Sequence, residues 1–211
     1  MKFKETGFRP LYKRLCAFAL DMPHAGDAIE GFPGAVEANC VLTWGYYDQA
    51  CGLSLEILAA GVRLEKGMLF FEGCGEISSK LRIAAVENTD FWPILDSNGA
   101  LQARYADKIS LVESCSTSEV MEKIRGMAFL DGLRDLYCID DVRVLLIREG
   151  LQTESCWVRI TGLQDAVFSG ILLNEPYQDF GCHEGETIAF RAIETQDRQM
   201  VCLADLNPAN G

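Results

Sequence analysis

The last third of the chain, residues 138–203, alternates apolar and polar side chains with a period of two. Turn residues such as Glu149-Gly150 and Asn174-Glu175-Pro176 separate the apolar runs. Successive side chains of a strand point to opposite faces, so this pattern indicates strands rather than helices. We predict five strands, over residues 142–146, 156–160, 168–173, 188–192 and 200–203.

Five short strands at this spacing favour a small barrel or a strongly bent sheet. On the buried face of this module we expect Val144, Val158, Ile171 and Phe190. Trp157 and Pro176 are expected to shape its edge.

Three short motifs in the same segment carry a family resemblance: Cys156-Trp157-Val158-Arg159-Ile160, Gly170-Ile171-Leu172-Leu173-Asn174-Glu175-Pro176 and Gly185-Glu186-Thr187-Ile188. They resemble the YegJ-like bacterial domain of unknown function, in which a Trp-Val strand precedes a Gly-hydrophobic-Leu-x-Asn-x-Pro strand and turn. Glu186 stands where that family often has Asp. The resemblance covers about a third of the chain. It implies a fold and a mainly bacterial setting, and it implies no activity because the family has none assigned.

The first two thirds of the chain mix helical and strand patterns. Apolar spacing predicts helices over residues 48–60, closed by Gly61, and over 117–130, where Ser116 and Glu119 form a capping box. Residues 11–20 fit a short helix. Strands are predicted over 68–72, 81–86, 100–105 and 108–112, with Asn98-Gly99 as a hairpin turn.

These patterns together predict an α+β fold in two regions. Residues 1–135 form a β-rich region with two or three helices, and residues 138–211 form the small barrel-like module. The boundary is expected near residues 131–141, which are rich in aspartate.

Charge narrows the classes of partner. The formal net charge is −12, with 31 acidic and 19 basic side chains. Nucleic acids and anionic membranes favour basic surfaces, so we expect neither as a direct partner. An acidic surface can instead attract a basic protein.

The amino-terminal residues do not fit a secretory signal. The apolar run at residues 15–20 is short and stops at Asp21, whereas a secretory core is normally longer and ends at a small-residue cleavage site. The longest apolar runs are also far shorter than the ~20 residues that span a bilayer. We therefore expect a cytoplasmic protein.

The chain has nine cysteines, an odd number, and none is in Cys-x-x-Cys spacing. Several lie within apolar runs, where a reduced thiol behaves as a small hydrophobic group. Zinc sites usually show tighter clusters and disulfide frameworks an even count. We predict no bound metal, no other cofactor and no structural disulfide.

The two histidines are the remaining candidates for chemistry. His24 lies in a loop between Asp21 and Asp27, where a metal site or a general base is conceivable, and an exposed loop histidine is the simpler interpretation. His183 lies beside three potential ligands or reactive groups: Asp179, Cys182 and Glu184. Neighbours in sequence rarely converge on one metal ion, and carboxylates disfavour a thiolate. We therefore interpret this segment as a turn, with Gly181 at positive φ.

Phosphate-loop, dinucleotide-binding and Gly-x-Ser-x-Gly motifs are absent from the sequence. Two functions remain open. The first is a non-catalytic acidic interaction protein, of the immunity or regulatory type, that binds a basic partner. The second is a small enzyme or ligand-binding protein with a pocket between the two regions. For the first, the predicted binding residues are Trp157, Asn174, Glu175, Asp179 and Glu184, and Asp165 contributes charge at another turn.

Overall fold

The computed structural model describes residues 1–21, 25–72, 77–114 and 118–207. The chain divides into two compact units, Met1–Ser116 and Thr117–Gly211. We call them the N-terminal unit and the barrel unit. The predicted α+β class and the five-stranded C-terminal barrel are confirmed.

The N-terminal unit is built on an antiparallel sheet in the order β4-β3-β2-β1-β6, with β5 also pairing with β3. Its strands are β1 Leu15–Ala19, β2 Cys40–Asp48, β3 Gly52–Leu64, β4 Gly67–Phe70, β5 Lys80–Arg82 and β6 Phe91–Pro93. Its helices are α1 Phe3–Thr6, α2 Ala25–Ala28, α3 Ile83–Val86, α4 Ala100–Arg104 and α5 Ala106–Ser114.

The helix predicted over residues 48–60 is wrong, because this segment is the long strand β3. Both of its faces are buried from Gly52 to Gly61, and residues 57–60 are apolar at consecutive positions, so the alternation seen over residues 53–57 is lost in the second part of the strand. A continuous apolar run cannot be assigned to strand or helix by periodicity alone. The register with β2, from Asp48↔Gly52 to Cys40↔Gly61, fixes the segment as half of a hairpin.

Other predictions in this unit are also wrong. The short helix over residues 11–20 is strand β1, and the strand over 81–86 ends early, at Arg82, before helix α3. The strands predicted over 100–105 and 108–112 lie in helices α4 and α5.

Asp96 explains why Asn98-Gly99 begins a helix instead of turning a hairpin. Its carboxylate oxygens accept hydrogen bonds from the backbone N–H groups of Leu101 and Gln102, at 3.2 and 2.7 Å. Carboxylate acceptors for the first-turn N–H groups stabilise a helix start.

A buried ion pair ties α5 to the sheet. Glu56, in β3, is fully buried, and its Oε1 lies 3.5 Å from the Lys108 Nζ and accepts a 2.9 Å hydrogen bond from Ser78. The Lys108 ammonium also donates to the carbonyl oxygens of Ile57 and Ile77, both at 2.6 Å. The Oε2 of Glu56 has no hydrogen-bond partner among the described residues.

The barrel unit contains β7 Asp141–Ile147, β8 Glu154–Gln164, β9 Val167–Leu172, β10 Thr187–Glu194 and β11 Met200–Asp205. Each strand pairs antiparallel with the next, and β11 closes the barrel by pairing parallel with β7. All five predicted strands of this module are present within one or a few residues of the expected bounds.

Alternation along these strands fills the barrel interior, and of the four predicted core residues Val144, Val158 and Phe190 are buried. Ile171 is only half-buried: Phe168, Gly170 and Leu172 are the buried residues of β9, so Ile171 lies on the outer side. Residues 171–173 are apolar at consecutive positions, so they do not by themselves show which side chains face inward.

The helix predicted over residues 117–130 is shorter. It is α6, Glu119–Arg125, followed by a 3₁₀ helix, Ala128–Leu133, and the predicted cap Ser116 lies outside the described residues. Met121 and Ile124 are buried, whereas Val120 is exposed. The helix contacts β8, so it belongs with the barrel, and the division of the chain falls before it rather than between residues 135 and 138.

A second buried ion pair anchors α6 to the start of the barrel. The Arg125 guanidinium, 1% exposed, donates from Nε and Nη2 to the two carboxylate oxygens of Asp140, at 2.9 and 2.6 Å. Next along the chain, Asp141 accepts two similar bonds from Arg159, whose side chain is 39% exposed.

No helix within the described part of the chain is long and apolar enough to cross a membrane. Seven cysteines lie among the described residues and each is free: Cys16, Cys40, Cys51, Cys138, Cys156, Cys182 and Cys202. Cys74, Cys115 and His24 lie outside them.

Candidate functional site

The connection between β9 and β10, residues 173–186, is the longest between strands of the barrel. We call it the acidic loop. Three of its side chains, Pro176, Phe180 and Cys182, are buried, and the last two belong to the barrel core. The loop is therefore packed on the barrel rather than projecting from it.

Hydrogen bonds fix the first half of the acidic loop to β8. The Asn174 side chain accepts a 2.8 Å bond from the backbone N–H of Trp157 and donates to the Cys156 Sγ at 3.4 Å. The backbone N–H of Tyr177 donates to the Glu154 Oε1 at 2.8 Å. Asn174 and Trp157, both predicted as binding residues, are thus a brace between loop and strand.

The second half of the loop is held by the β7–β8 connection. Gln178 and Gln152 exchange two hydrogen bonds, at 2.9 and 3.1 Å, between a side-chain amide and the opposite backbone. Arg148 donates to the carbonyl oxygen of Asp179 at 3.1 Å. The Asp179 carboxylate accepts from the backbone N–H of Gly181, which has the positive φ of 74° that the sequence predicted.

Glu175 organises the end of the loop. Its Oε1 lies 2.7 Å from the His183 Nδ1, and its Oε2 accepts the backbone N–H of Glu184 at 2.9 Å. The bond with Glu175 raises the pKa of His183 above its ordinary value of 6.5, and the same bond is the main cause that lowers the pKa of Glu175. Glu186 accepts the backbone N–H of His183 at 3.0 Å.

What the loop presents outward is one aromatic ring and several carboxylates. The side chain of Tyr177 is 97% exposed, although its backbone is fixed to Glu154. The exposed acidic residues of the loop are Glu175, Asp179, Glu184 and Glu186. Tyr177 is not among the binding residues predicted from the sequence. The feature that could have indicated it is its position directly after Pro176 in an acidic turn.

The loop is not arranged for nucleophilic catalysis. Burial is the main cause that raises the pKa of the Cys182 thiol, and nearby Cys156, Glu186 and Glu175 add to the rise. A thiol with a raised pKa is a weak nucleophile near neutral pH. Asp179, Cys182, His183 and Glu184 do not form a metal-binding cluster: the described residues contain no group of three or more His, Cys, Asp or Glu suited to one. Asp165 lies apart, in the β8–β9 turn.

Comparisons with family models, curated proteins and solved structures found no match to this chain.

Proposed function

We propose that this chain is a non-catalytic interaction protein that binds a basic protein partner through the acidic loop. The observation that carries the proposal is the exposed Tyr177 ring on a backbone fixed by hydrogen bonds and surrounded by carboxylates. The immunity or regulatory role, the cytoplasmic location and the YegJ-like bacterial origin belong to the same proposal.

A fixed loop favours binding because little conformational entropy is lost when the partner docks. Tyrosine is enriched among the residues that dominate binding energy, since it supplies a large contact area with few rotatable bonds. The carboxylates around it supply the charge that steers a basic protein into contact.

The first test is capture of partners from a bacterial lysate on the immobilised protein. We expect a basic protein to be retained by the unchanged chain and to be lost with the double substitution Asp179→Lys and Glu184→Lys. A matched control reverses two exposed acidic residues at the β10–β11 turn, Glu194→Lys and Asp197→Lys, which changes the net charge equally. The control should retain the partner.

The second test measures association with that partner across a salt series. Charge steering is screened beyond about 10 Å at roughly 0.1 M salt, so the association rate should fall as salt rises. Reversal at Asp179 and Glu184 should slow association by about tenfold or more. A rate indifferent to both salt and charge reversal would remove the electrostatic mechanism.

Tyr177→Ala separates the contribution of the aromatic contact from that of charge attraction. We expect it to raise the dissociation rate by about tenfold, as for an aromatic hot spot, and to leave the salt dependence of association unchanged. Phe129→Ala is the control, because Phe129 is also an exposed aromatic residue of the barrel unit but lies outside the acidic loop. Equal effects of the two substitutions would contradict a role for the loop.

A further inference from the structure

A groove of about 520 Å³ lies on the barrel unit, where β7 and β11 meet the 3₁₀ helix. Its walls are mainly apolar and are formed by Phe129, Leu133, Leu145, Met200 and Val201. The volume is within the range of about 300–1,000 Å³ that is usual for small-molecule sites. The groove shares no residue with the acidic loop.

The groove follows from the way the barrel closes. The parallel pairing of β7 with β11 runs from Val144↔Cys202 to Ile147↔Asp205, so the first part of β7 has no partner in β11. The 3₁₀ helix packs against both strands there. It covers the outer apolar side chains incompletely, and the side chain of Phe129 remains 44% exposed.

The charge of the lining is opposite to that of the chain. Among the described residues of the lining, the single charged one is the cation Arg143, in a chain whose net charge is −12. The guanidinium makes one long hydrogen bond, 3.4 Å from Nη2 to the carbonyl oxygen of Gly132, and has no ion-pair partner among the described residues. Cys202 also lines the groove, and burial raises the pKa of its thiol to about 12, so it adds no negative charge.

Two neutral polar side chains complete the lining, those of Ser155 and Gln199. Neither side chain has a hydrogen-bond partner among the residues that the structure describes, so both can donate to a ligand. An apolar groove with a few convergent polar groups is the usual form of a small-molecule site.

We propose that this groove binds a small organic carboxylate with an apolar body. The carboxylate pairs with Arg143, whose planar fork suits two parallel hydrogen bonds to one carboxylate. The apolar body packs against Leu133, Leu145 and Val201. A single guanidinium matches one negative charge, which favours a monocarboxylate over a phosphate dianion.

The test uses octanoate, 1-octanol and the full chain. Sodium octanoate, kept below its micellisation concentration, is titrated while amide NMR shifts are recorded. We expect saturable shifts at Leu145, Ser155 and Val201, and about tenfold or more weaker binding of 1-octanol, which has the same tail without the charge.

Arg143→Met should reduce octanoate affinity to that of the alcohol, whereas Arg191→Met, at an exposed arginine of the same barrel that does not line the groove, should leave it unchanged. An unaltered barrel spectrum shows that each variant is folded. The proposal is overturned if octanoate and octanol bind equally, if Arg143→Met retains octanoate affinity, or if saturable shifts at the groove are absent.

Discussion

The N-terminal unit and the barrel unit both consist mainly of antiparallel strands, but they bury those strands differently. In the barrel, β7 to β10 alternate between buried and more exposed side chains. In the N-terminal unit, β2 and the first part of β3 are buried on both faces. A strand with one solvent-exposed face shows alternating polar and apolar residues in the sequence, and a strand buried on both faces does not.

The two units also bury different ion pairs. In the barrel unit, Arg125 donates two short hydrogen bonds to the carboxylate of Asp140. Glu56 and Lys108, in the N-terminal unit, lie 3.5 Å apart, and the ammonium relies instead on two backbone carbonyl groups. Removing one carboxylate should therefore have unequal consequences in the two units.

The largest effect is expected from Asp140→Asn. It removes the carboxylate that accepts two of the buried guanidinium's hydrogen bonds and leaves only the partly exposed Glu122, 2.9 Å from the Arg125 Nη1, to offset the charge. We expect a cost of about 3 kcal/mol or more of unfolding free energy. Glu56→Gln should cost less, about 1–2 kcal/mol, because Lys108 keeps its two carbonyl acceptors. Hydrogen exchange with mass spectrometry resolves the free energy of opening in each unit separately.

Asp141→Asn is the matched control for this comparison. Its partner Arg159 is 39% exposed and can be solvated when the charge is removed, so we expect a loss of about 1 kcal/mol or less. Equal losses at Asp140 and Asp141 would show that burial of the guanidinium does not decide the outcome.

The next largest effects are expected from alanine at Gly170 and Gly61. They test whether the closed barrel accommodates an added methyl group less readily than the open sheet does. A Cβ on Gly170 would lie 2.5 Å from the Val158 Cγ1 and 2.7 Å from the Arg159 carbonyl oxygen. A Cβ on Gly61 would lie 2.6 Å from the Phe70 Cδ1 and 2.7 Å from the Leu69 carbonyl oxygen. Overpacking costs about 1–3 kcal/mol.

We expect Gly170→Ala to approach the upper end of that range and Gly61→Ala the lower end. β9 is held between two strands of a closed barrel. Within the described part of the chain β4, against which Gly61 packs, pairs with β3 alone and can shift. Urea denaturation monitored by hydrogen exchange measures both. Gly132→Ala is the control, since nothing lies within 4 Å of its Cβ position, and should change stability by less than about 0.5 kcal/mol. If Gly61→Ala lowers the free energy of unfolding more than Gly170→Ala does, the barrel is not the less adaptable of the two units.

The same difference in burial decides how much could be predicted from the sequence. All five barrel strands were predicted, and the error at Ile171 was one of phase inside an apolar run. In the N-terminal unit, β3 was predicted as a helix because apolar residues on both faces also satisfy helical spacing. Helix α4 was missed because the carboxylate of Asp96 acts several residues before the first turn.

For the acidic loop, charge and turn residues in the sequence indicate Glu175, Asp179 and Glu184 as candidates for binding. The way the loop is fixed to the barrel was not predictable, because it depends on Arg148, Gln152 and Glu154, which are distant along the chain and bond to Asp179, Gln178 and Tyr177 in the folded barrel. Exposure of Tyr177 depends on the same contacts. The local sequence pattern indicates which residues are candidates, whereas their positions depend on tertiary contacts.

The smallest effect is expected at the exposed pair Glu175–His183, and it is a change of titration rather than of stability. The raised pKa of His183 means that the pair favours the folded state fully below pH 6.5 and that this contribution is lost as pH rises through the raised value. The lowered pKa of Glu175 has the opposite consequence: its contribution is present above its ordinary value of 4.5 and is lost as pH falls through the lowered one. Both groups are charged between the lowered pKa of Glu175 and the raised pKa of His183.

Glu175→Gln should return the pKa of His183 towards 6.5, as followed by NMR titration of its ring protons. Glu186→Gln removes a negative charge that is only a minor cause of the raised pKa, so it should leave most of the rise in place. An unperturbed His183 in the unchanged chain would mean that the end of the acidic loop is not fixed in solution, and the entropic argument for a preorganised binding loop would fail with it.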